Sequence, residues 1–260
     1  MNFFYPKTLF AIASGVMTGV IVTLSPLNVN QASASTLHNL SINATADNSY
    51  GIYFGTDTAV HQFIGGAQNR TAGEIASVES FSPAIASTDE VYVVAWSDRG
   101  VIQGLLIDIF NDTTGEEFLS GDLDWEVAAT GVSLPSVTSP FPTLDELTAQ
   151  IELANEGNNP SEGWKPVTVT SLTNGDGPMV SGFIDGFADI SPDSRMMWYD
   201  NGRSTGSEAP FKPGADHDEY LIFRMSTGGS GLEPVPESSL GIMTFLGAAA
   251  LAGWLTVRSR

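Results

Sequence analysis

The sequence predicts a mainly β body, either a β-sandwich or a jelly-roll-like domain with one covering helix; an α+β arrangement is the alternative. Three observations favour the β body. Short runs rich in aromatic and β-branched residues recur, turns rich in Gly, Asn and Asp separate them, and one stretch alone has the apolar spacing of a helix. About 200 residues lie between the two chain ends, which is the size of one domain.

Eight runs have the composition of strands. They are 50–54, 59–64, 91–96, 101–110, 164–172, 179–184, 195–200 and 219–225. Gly65 and Gly66 are expected to end the second run, because glycine weakens a strand interior. Turns are predicted at 111–115, 174–177 and 201–202, where Asn, Asp and Gly occur together.

The runs 91–96 and 101–110 are expected to form a hairpin at the centre of a sheet. Ser97-Asp-Arg-Gly100 between them has turn chemistry, and Gly100 accepts a positive φ. Both runs are apolar at successive positions, which is typical of strands that are covered on both faces.

The one predicted helix spans about 143–156. Thr143 follows Pro142, and Glu146 stands three residues later, which is the spacing of a capping box. The apolar residues that share one helix face are Leu144, Leu147, Ile151 and Ala154. Gly157 is placed to end the helix.

The first 34 residues are interpreted as a signal peptide. Lys7 is their only charge, residues 9–24 are apolar, and Ala32-Ser33-Ala34 resembles a signal peptidase cleavage site. The alternative is an uncleaved N-terminal membrane anchor. Residues 1–34 are therefore excluded from the prediction of the fold.

The C-terminal end predicts a transmembrane helix. Residues 240–257 carry no charge and would span about 27 Å as a helix, close to the thickness of a bilayer core. Arg258 and Arg260 follow, and positive charge stays on the cytoplasmic side, so we expect the body outside the cytoplasm. The alternative is a buried helix of a soluble domain.

Just before this helix stands Pro236-Glu237-Ser238, inside a linker of residues 226–239. Together with the apolar helix and the basic end at 258–260, the motif resembles the PEP-CTERM sorting signal of Gram-negative bacteria. In that family the motif reads Pro-Glu-Pro, so Ser238 departs at the third position. The resemblance implies processing by exosortase, in bacteria that make extracellular polysaccharide. Both cleavage of the tail and permanent anchoring stay open.

The composition limits the classes of function. The chain has no cysteine, so its fold lacks disulfides and its chemistry lacks thiolates. Thirty Asp and Glu against ten Lys and Arg give a net charge of −20, which would repel nucleic acid. An acidic surface of this kind binds cations, basic partners or water.

No catalytic motif is found. The sequence lacks a G-x-S-x-G elbow, an H-E-x-x-H pair and a P-loop, and its histidines are His38, His61 and His217. A hydrolase that uses paired carboxylates stays open in principle.

Oxygen-rich segments are candidates for binding Ca²⁺, which takes six to eight oxygen ligands. The first candidate contains Asp216, Asp218 and Glu219. The second is a wider set, Asn174, Asp176, Asp185 and Asp189. A solvated acidic turn is the alternative in both cases.

Three aromatic residues are candidates for stacking on sugar rings. Trp164, Trp198 and Tyr199 stand near segments rich in Asn, Gly and Asp, while Trp96 lies inside an apolar strand run and is expected in the core. The alternative for all three is the core as well.

The sequence therefore predicts an exported surface or extracellular-matrix protein with a structural or adhesive role. It would be anchored in the inner membrane with its body outside, or released after processing. Its expected partners are signal peptidase, exosortase and a surface polysaccharide. A carbohydrate- or Ca²⁺-binding module is the second interpretation, and a secreted hydrolase is the third.

Overall fold

The computed structural model describes residues 35–68, 77–97, 102–134, 136–176, 186–202, 210–211 and 219–226. These residues form a mainly β structure with two antiparallel sheets and one helix. The predicted signal peptide, sorting motif and transmembrane helix lie outside the described residues. Within the described ranges, no helix has both the length and the apolar character that a membrane span requires.

The elements follow one another along the chain with the helix after the ninth strand. They are β1 (Leu37–Asp47), β2 (Ser49–Gly55), β3 (Val60–Gln68), β4 (Glu79–Phe81), β5 (Ala84–Ala86), β6 (Glu90–Trp96), β7 (Gly104–Asn111), β8 (Glu117–Leu119), β9 (Glu126–Ala129), α1 (Leu144–Asn155), β10 (Lys165–Pro166), β11 (Thr168–Val169), β12 (Met197–Trp198) and β13 (Leu221–Ser226). The seven-stranded sheet has the order β11-β12-β7-β1-β4, with β5 also paired to β1 and β8 to β7. The six-stranded sheet has the order β10-β9-β13-β6-β2-β3.

The main core lies between facing sides of the two sheets, an arrangement consistent with a β-sandwich. Alternate residues of β1, such as Ile42 and Ala44, share one buried cluster with alternate residues of β6, such as Val91 and Val93. Because side chains alternate between the faces of a strand, this period-two pattern directs one face of each sheet inward.

A second apolar cluster covers the opposite face of the six-stranded sheet. Tyr92, Val94 and Trp96 of β6 point to this side, and Leu147 and Ile151 of α1 pack on it. The central strands of the six-stranded sheet are therefore buried on both faces, while β3 at its edge has exposed residues. This finding confirms the predicted covering helix and its packing face.

The local signals for α1 are confirmed as well. Thr143 is the N-cap, and its hydroxyl accepts a hydrogen bond from the Glu146 backbone N–H. The Glu146 carboxylate in turn accepts one from the Thr143 backbone N–H at 2.8 Å, which completes the capping box. Gly157 follows the helix with a positive φ of 72°, a conformation that glycine adopts at no steric cost.

The predicted central hairpin is wrong. β6 pairs with β2 and β13 in the six-stranded sheet, whereas β7 pairs with β1, β8 and β12 in the seven-stranded sheet. The chain passes from one sheet to the other between these strands. Apolar character on both faces identified buried strands correctly, but it carries no information about which partner each strand pairs with.

Two predicted strand boundaries also need correction. The pair Gly65 and Gly66 does not end β3, which continues to Gln68. A Cβ at Gly66 would stand 2.1 Å from the Tyr50 carbonyl oxygen, so glycine is needed there for close approach inside the sheet. The predicted run 164–172 is split into β10 and β11, which belong to different sheets. The run 179–184 lies outside the described residues.

We predict that adjacent residues of β7 differ sharply in their effect on stability. Ile109 is fully buried between the sheets, while the Phe110 side chain is 43% exposed on the other face. Ile109→Ala is expected to lower the free energy of unfolding by about 2–5 kcal/mol because it leaves a cavity. Phe110→Ala is the control and is expected to cost less than about 1 kcal/mol. Urea unfolding measures both, and equal costs would contradict the assigned faces.

Candidate functional site

A groove opens where the N-terminal half of α1 meets the segment that precedes it. Its volume is about 600 Å³. The residues that line it are Val132, Leu134, Pro140, Phe141, Pro142, Thr143, Glu146, Ala149, Gln150 and Tyr220. We call this feature the α1 groove. Its lining is mainly apolar, with a few polar side chains at defined positions, which is the usual composition of a small-molecule site.

One hydrogen bond and two ring contacts fix the wall of the α1 groove that precedes the helix. The Tyr53 hydroxyl, which comes from β2, donates to the Pro142 carbonyl oxygen at 2.7 Å. The Phe141 ring packs against the rings of Phe63 and Trp96, with centroid distances of 5.1 and 5.8 Å. Both contacts tie the wall to the outer face of the six-stranded sheet, so the wall is held by the core and not by the helix alone.

Tyr220, the residue before β13, is part of the lining of the α1 groove. Its backbone N–H donates to the Val132 carbonyl oxygen at 3.1 Å, and its carbonyl oxygen accepts from the Thr130 hydroxyl at 2.7 Å. The residue is only 3% exposed. Burial raises the pKa of Tyr220, and the negative charge of Glu146 raises it further. The phenol therefore stays neutral and able to donate at any physiological pH.

Glu146 supplies the negative charge at the rim of the α1 groove. The backbone and side-chain hydrogen bonds from Thr143 hold the pKa of Glu146 below its ordinary value of 4.5. The carboxylate is thus ionised at neutral pH. The basic side chains of the described residues are Lys165, Arg195 and Arg224, and none of them lines the groove.

The predicted sugar-stacking residue Trp198 is a core residue, which corrects that part of the interpretation. It is fully buried in β12, and its ring lies 5.8 Å from the ring of Phe223. A side chain without accessible surface offers no face to a sugar. Tyr199, the next residue, is half-buried and packs against the same core.

Trp164 is half-buried, and a cation covers one of its faces. The Arg224 guanidinium lies 4.0 Å from the ring centroid, and its Nη2 is 2.6 Å from the Glu126 carboxylate. The Trp164 indole N–H donates to the Asn155 side-chain oxygen at 2.7 Å. Trp164 is therefore held between β13 and the end of α1, and it does not lie beside Trp198 and Tyr199 as one binding surface.

Asn174, from the second Ca²⁺ candidate set, organises a loop through its own amide. Its Nδ2 donates to the carbonyl oxygens of Phe187 and Ile190 at 2.8 Å and of Ser191 at 3.2 Å. Its Oδ1 accepts from the Phe187 backbone N–H at 2.7 Å. An amide with both a donor and an acceptor satisfies this set of backbone groups, which is a structural role.

The described acidic members of that set, Asp176 and Asp189, do not form a cation site with Asn174. The Asp176 carboxylate accepts from the backbone N–H and the hydroxyl of Thr173, and these bonds lower the pKa of Asp176. Asp189 is exposed, and Asp185 lies outside the described residues. In the part of the chain that the structure describes, no three His, Asp or Glu side chains are grouped so as to hold a metal ion.

The first Ca²⁺ candidate falls mostly outside the described residues. Asp216 and Asp218 belong to that part, while Glu219 is described and its carboxylate accepts a hydrogen bond from the Gly131 backbone N–H. That bond joins the start of β13 to the loop that leads into the α1 groove. The Ca²⁺ hypothesis for these three residues stays a prediction.

The described histidines belong to different sheets. His38 lies in β1, with its Nδ1 3.0 Å from the Asn111 side-chain nitrogen. His61 lies in β3, with its Nε2 3.2 Å from the Asp89 carboxylate. His217 lies outside the described residues. The structure therefore does not bring His38 and His61 together.

Sequence reasoning did not identify the α1 groove. The sequence predicts Tyr220 only as part of a strand and Pro142 only as the residue before the helix N-cap. Two prolines that flank an aromatic residue just before a capping box are a usable signal, because prolines hold an aromatic residue in an extended segment. Comparison with known protein families, curated proteins and solved structures finds no match to the chain.

We predict that Asn174→Asp destabilises the protein by about 3 kcal/mol or more. The substitution keeps the shape of the side chain but replaces its N–H donors with a carboxylate that faces three carbonyl oxygens. Asp189→Asn is the control, since Asp189 is exposed, and a change within about 0.5 kcal/mol is expected. Urea unfolding measures both variants. A neutral Asn174→Asp result would exclude the loop-organising role.

Proposed function

We propose that this chain is an exported protein of a Gram-negative cell surface or extracellular matrix with a structural or adhesive role. In this proposal residues 1–34 direct export, and the β-sandwich of residues 35–225 is the body. Residues 226–260 contain the linker, the sorting motif, the membrane helix and the basic end. The tail either anchors the body or is processed by exosortase.

The observation that carries the proposal is that the prominent aromatic and amide side chains of the body hold the fold together. Trp198 is buried, Trp164 is stacked under Arg224, and Asn174 joins two loop segments through hydrogen bonds to backbone carbonyl oxygens. Long antiparallel ladders add stiffness, since β1 pairs with β7 over eight residues of each strand. A stiff body on a short linker suits a scaffold or an adhesin.

The net negative charge of the chain and its lack of cysteine support a location outside the cell. The chain carries a net charge of −20, and cysteine is absent, so the fold depends on packing and not on the redox state of its surroundings. Mutual repulsion of acidic surfaces keeps such a protein soluble and leaves cations or basic polymers as its natural contacts.

Carbohydrate binding is the alternative, and it has narrower support. Of the three aromatic candidates, Trp198 has no accessible surface, while Trp164 and Tyr199 keep part of theirs. Ca²⁺ binding would depend on Asp216 and Asp218 together with Glu219. A secreted hydrolase has the least support, because no catalytic motif occurs in the sequence.

We predict two processing events that intact-mass analysis can detect in a host that makes exosortase. The mature chain is expected to begin after Ala34, and its C-terminal helix is expected to be absent. In the same host without exosortase, the N-terminus should be the same, while the tail stays attached and the protein stays in the membrane fraction.

A motif variant provides the control for this experiment. Glu237→Ala together with Pro236→Ala should retain the tail even where exosortase is present. An intact C-terminus in both hosts would contradict processing and leave the helix as a permanent anchor. A chain that keeps residues 1–34 and stays in the cytoplasm would contradict export, and with it the proposed function.

A further inference from the structure

We propose that the α1 groove binds a neutral small molecule that has an apolar body and one hydroxyl or carboxamide group. This site is additional to the structural role proposed above and does not depend on it. The inference rests on the shape of the groove, on two polar groups that the described fold does not use, and on the sign of the charge at the rim.

The shape of the α1 groove fits a small molecule. Its volume of about 600 Å³ falls in the range of about 300–1,000 Å³ that is typical of small-molecule sites. Leu134, Phe141 and Tyr220 give it apolar and aromatic walls. Core contacts fix these walls, so a ligand would not have to order them on binding, and less of its interaction energy would be lost.

Two polar groups at the α1 groove are not satisfied by the described residues. The Tyr220 residue is only 3% exposed, and its hydroxyl, which keeps some accessible surface, makes no hydrogen bond to any described residue. The Gln150 side-chain oxygen is buried and also has no hydrogen-bond partner in the described part of the chain. A buried polar atom such as the Gln150 oxygen is normally bonded, because leaving it unpaired costs about 1–3 kcal/mol.

The contrast with Tyr53 shows that the unsatisfied hydroxyl is specific to the groove. Tyr53 belongs to the same cluster as Tyr220 and is equally buried, but its hydroxyl donates to Pro142. Tyr220 therefore offers a donor and Gln150 an acceptor on the lining of one groove. A hydroxyl or a carboxamide can satisfy both kinds of group, since each accepts and donates.

The charge at the rim excludes anions and sets the ligand class. Glu146 is ionised, and the described residues of the lining include no basic side chain, so an anionic ligand would be repelled and its charge would find no partner among them. A sugar is a poor fit as well, because its many hydroxyls need more polar partners than this mainly apolar lining provides. A mainly apolar molecule without negative charge is the class that remains, and a neutral polar group on it matches the uncharged side chains of Tyr220 and Gln150.

The residues of α1 that face the groove are different from those that pack on the sheet. Glu146, Ala149 and Gln150 are spaced three and four residues apart, so they share the groove side of the helix. Leu147 and Ile151 lie on the buried side and pack on the six-stranded sheet. Because the two sides are separate, helix residues that line the groove can be substituted without loss of the core contacts.

A matched pair of photoreactive probes tests the proposal on the full chain. 4-(Hydroxymethyl)benzophenone is neutral, and 4-benzoylbenzoate has the same rings with a carboxylate in place of the hydroxymethyl group. After irradiation, peptide mass spectrometry locates the adducts. The neutral probe is expected to label residues 132–150 and the peptide that contains Tyr220 in a saturable way. The carboxylate probe is expected to label them at least tenfold less.

Variants separate groove binding from general attachment to apolar surface. Ala149→Trp fills the groove from an exposed helix position, and Leu153→Trp adds the same ring one turn later, outside the lining. The first should abolish saturable labelling of the groove peptides and leave adducts elsewhere unchanged, while the second should change neither. Tyr220→Phe, which removes only the hydroxyl, should weaken binding of the neutral probe about two- to tenfold.

Thermal unfolding is measured for each variant, so that probe labelling is compared only between folded proteins. Equal labelling by the two probes would overturn the proposal, as would unchanged labelling in a folded Ala149→Trp variant. Absent labelling of the groove in the folded wild-type chain would also overturn it, including the case in which another part of the chain fills the groove.

Discussion

The structure depends on the burial of both faces of the six-stranded sheet. In β6, Val91, Val93 and Ala95 point to one side, while Tyr92, Val94 and Trp96 point to the other, and all of them are buried. Each large apolar side chain gains about 1.5–3 kcal/mol when it is removed from water. A single cover would leave three of these side chains on a solvated face. The sheet therefore needs two covers, which are the seven-stranded sheet and α1 with its preceding segment.

This requirement also creates the α1 groove. A helix of 12 residues spans about 18 Å, which covers only part of a six-stranded sheet. The segment before α1 covers the adjoining area with Phe141, which packs on Trp96. The groove lies where these two covers meet, and Tyr220, the residue before β13, is part of its lining. The groove therefore exists because two narrow segments, α1 and the segment before it, cover one wide face of the sheet.

The sequence predicted those features that local chemistry determines. The helix was located by its capping box and apolar spacing, and the strands around Tyr53, Val93 and Phe223 by their composition. β1 was not predicted, because its inward side includes Ala44 and Ala46, whose small side chains give a weak alternation. The strand partners of β6 and β7 could not be predicted from the local sequence. β6 pairs with β13 and β7 pairs with β1, and both partners are distant in the sequence.

The site was less predictable than the fold for the same reason. Trp198 and Trp164 are similar in sequence context, yet one is in the core between the sheets and the other lies under Arg224. Whether an aromatic residue lies in the core or stays partly exposed depends on the strand beside it. Tyr220 and Gln150 are seventy residues apart in the chain, and only the folded structure places both on the lining of one groove.

Native-state hydrogen exchange tests the double burial of the six-stranded sheet most directly. The amides of Tyr92 and Val94, in a strand that is paired on both sides and covered on both faces, should exchange only through global unfolding. Their opening free energy should equal that from urea unfolding, while the amides of β3 residues 61–63, at the sheet edge, exchange much faster. Equal, weak protection in β6 and at the edge of β3 would contradict the account.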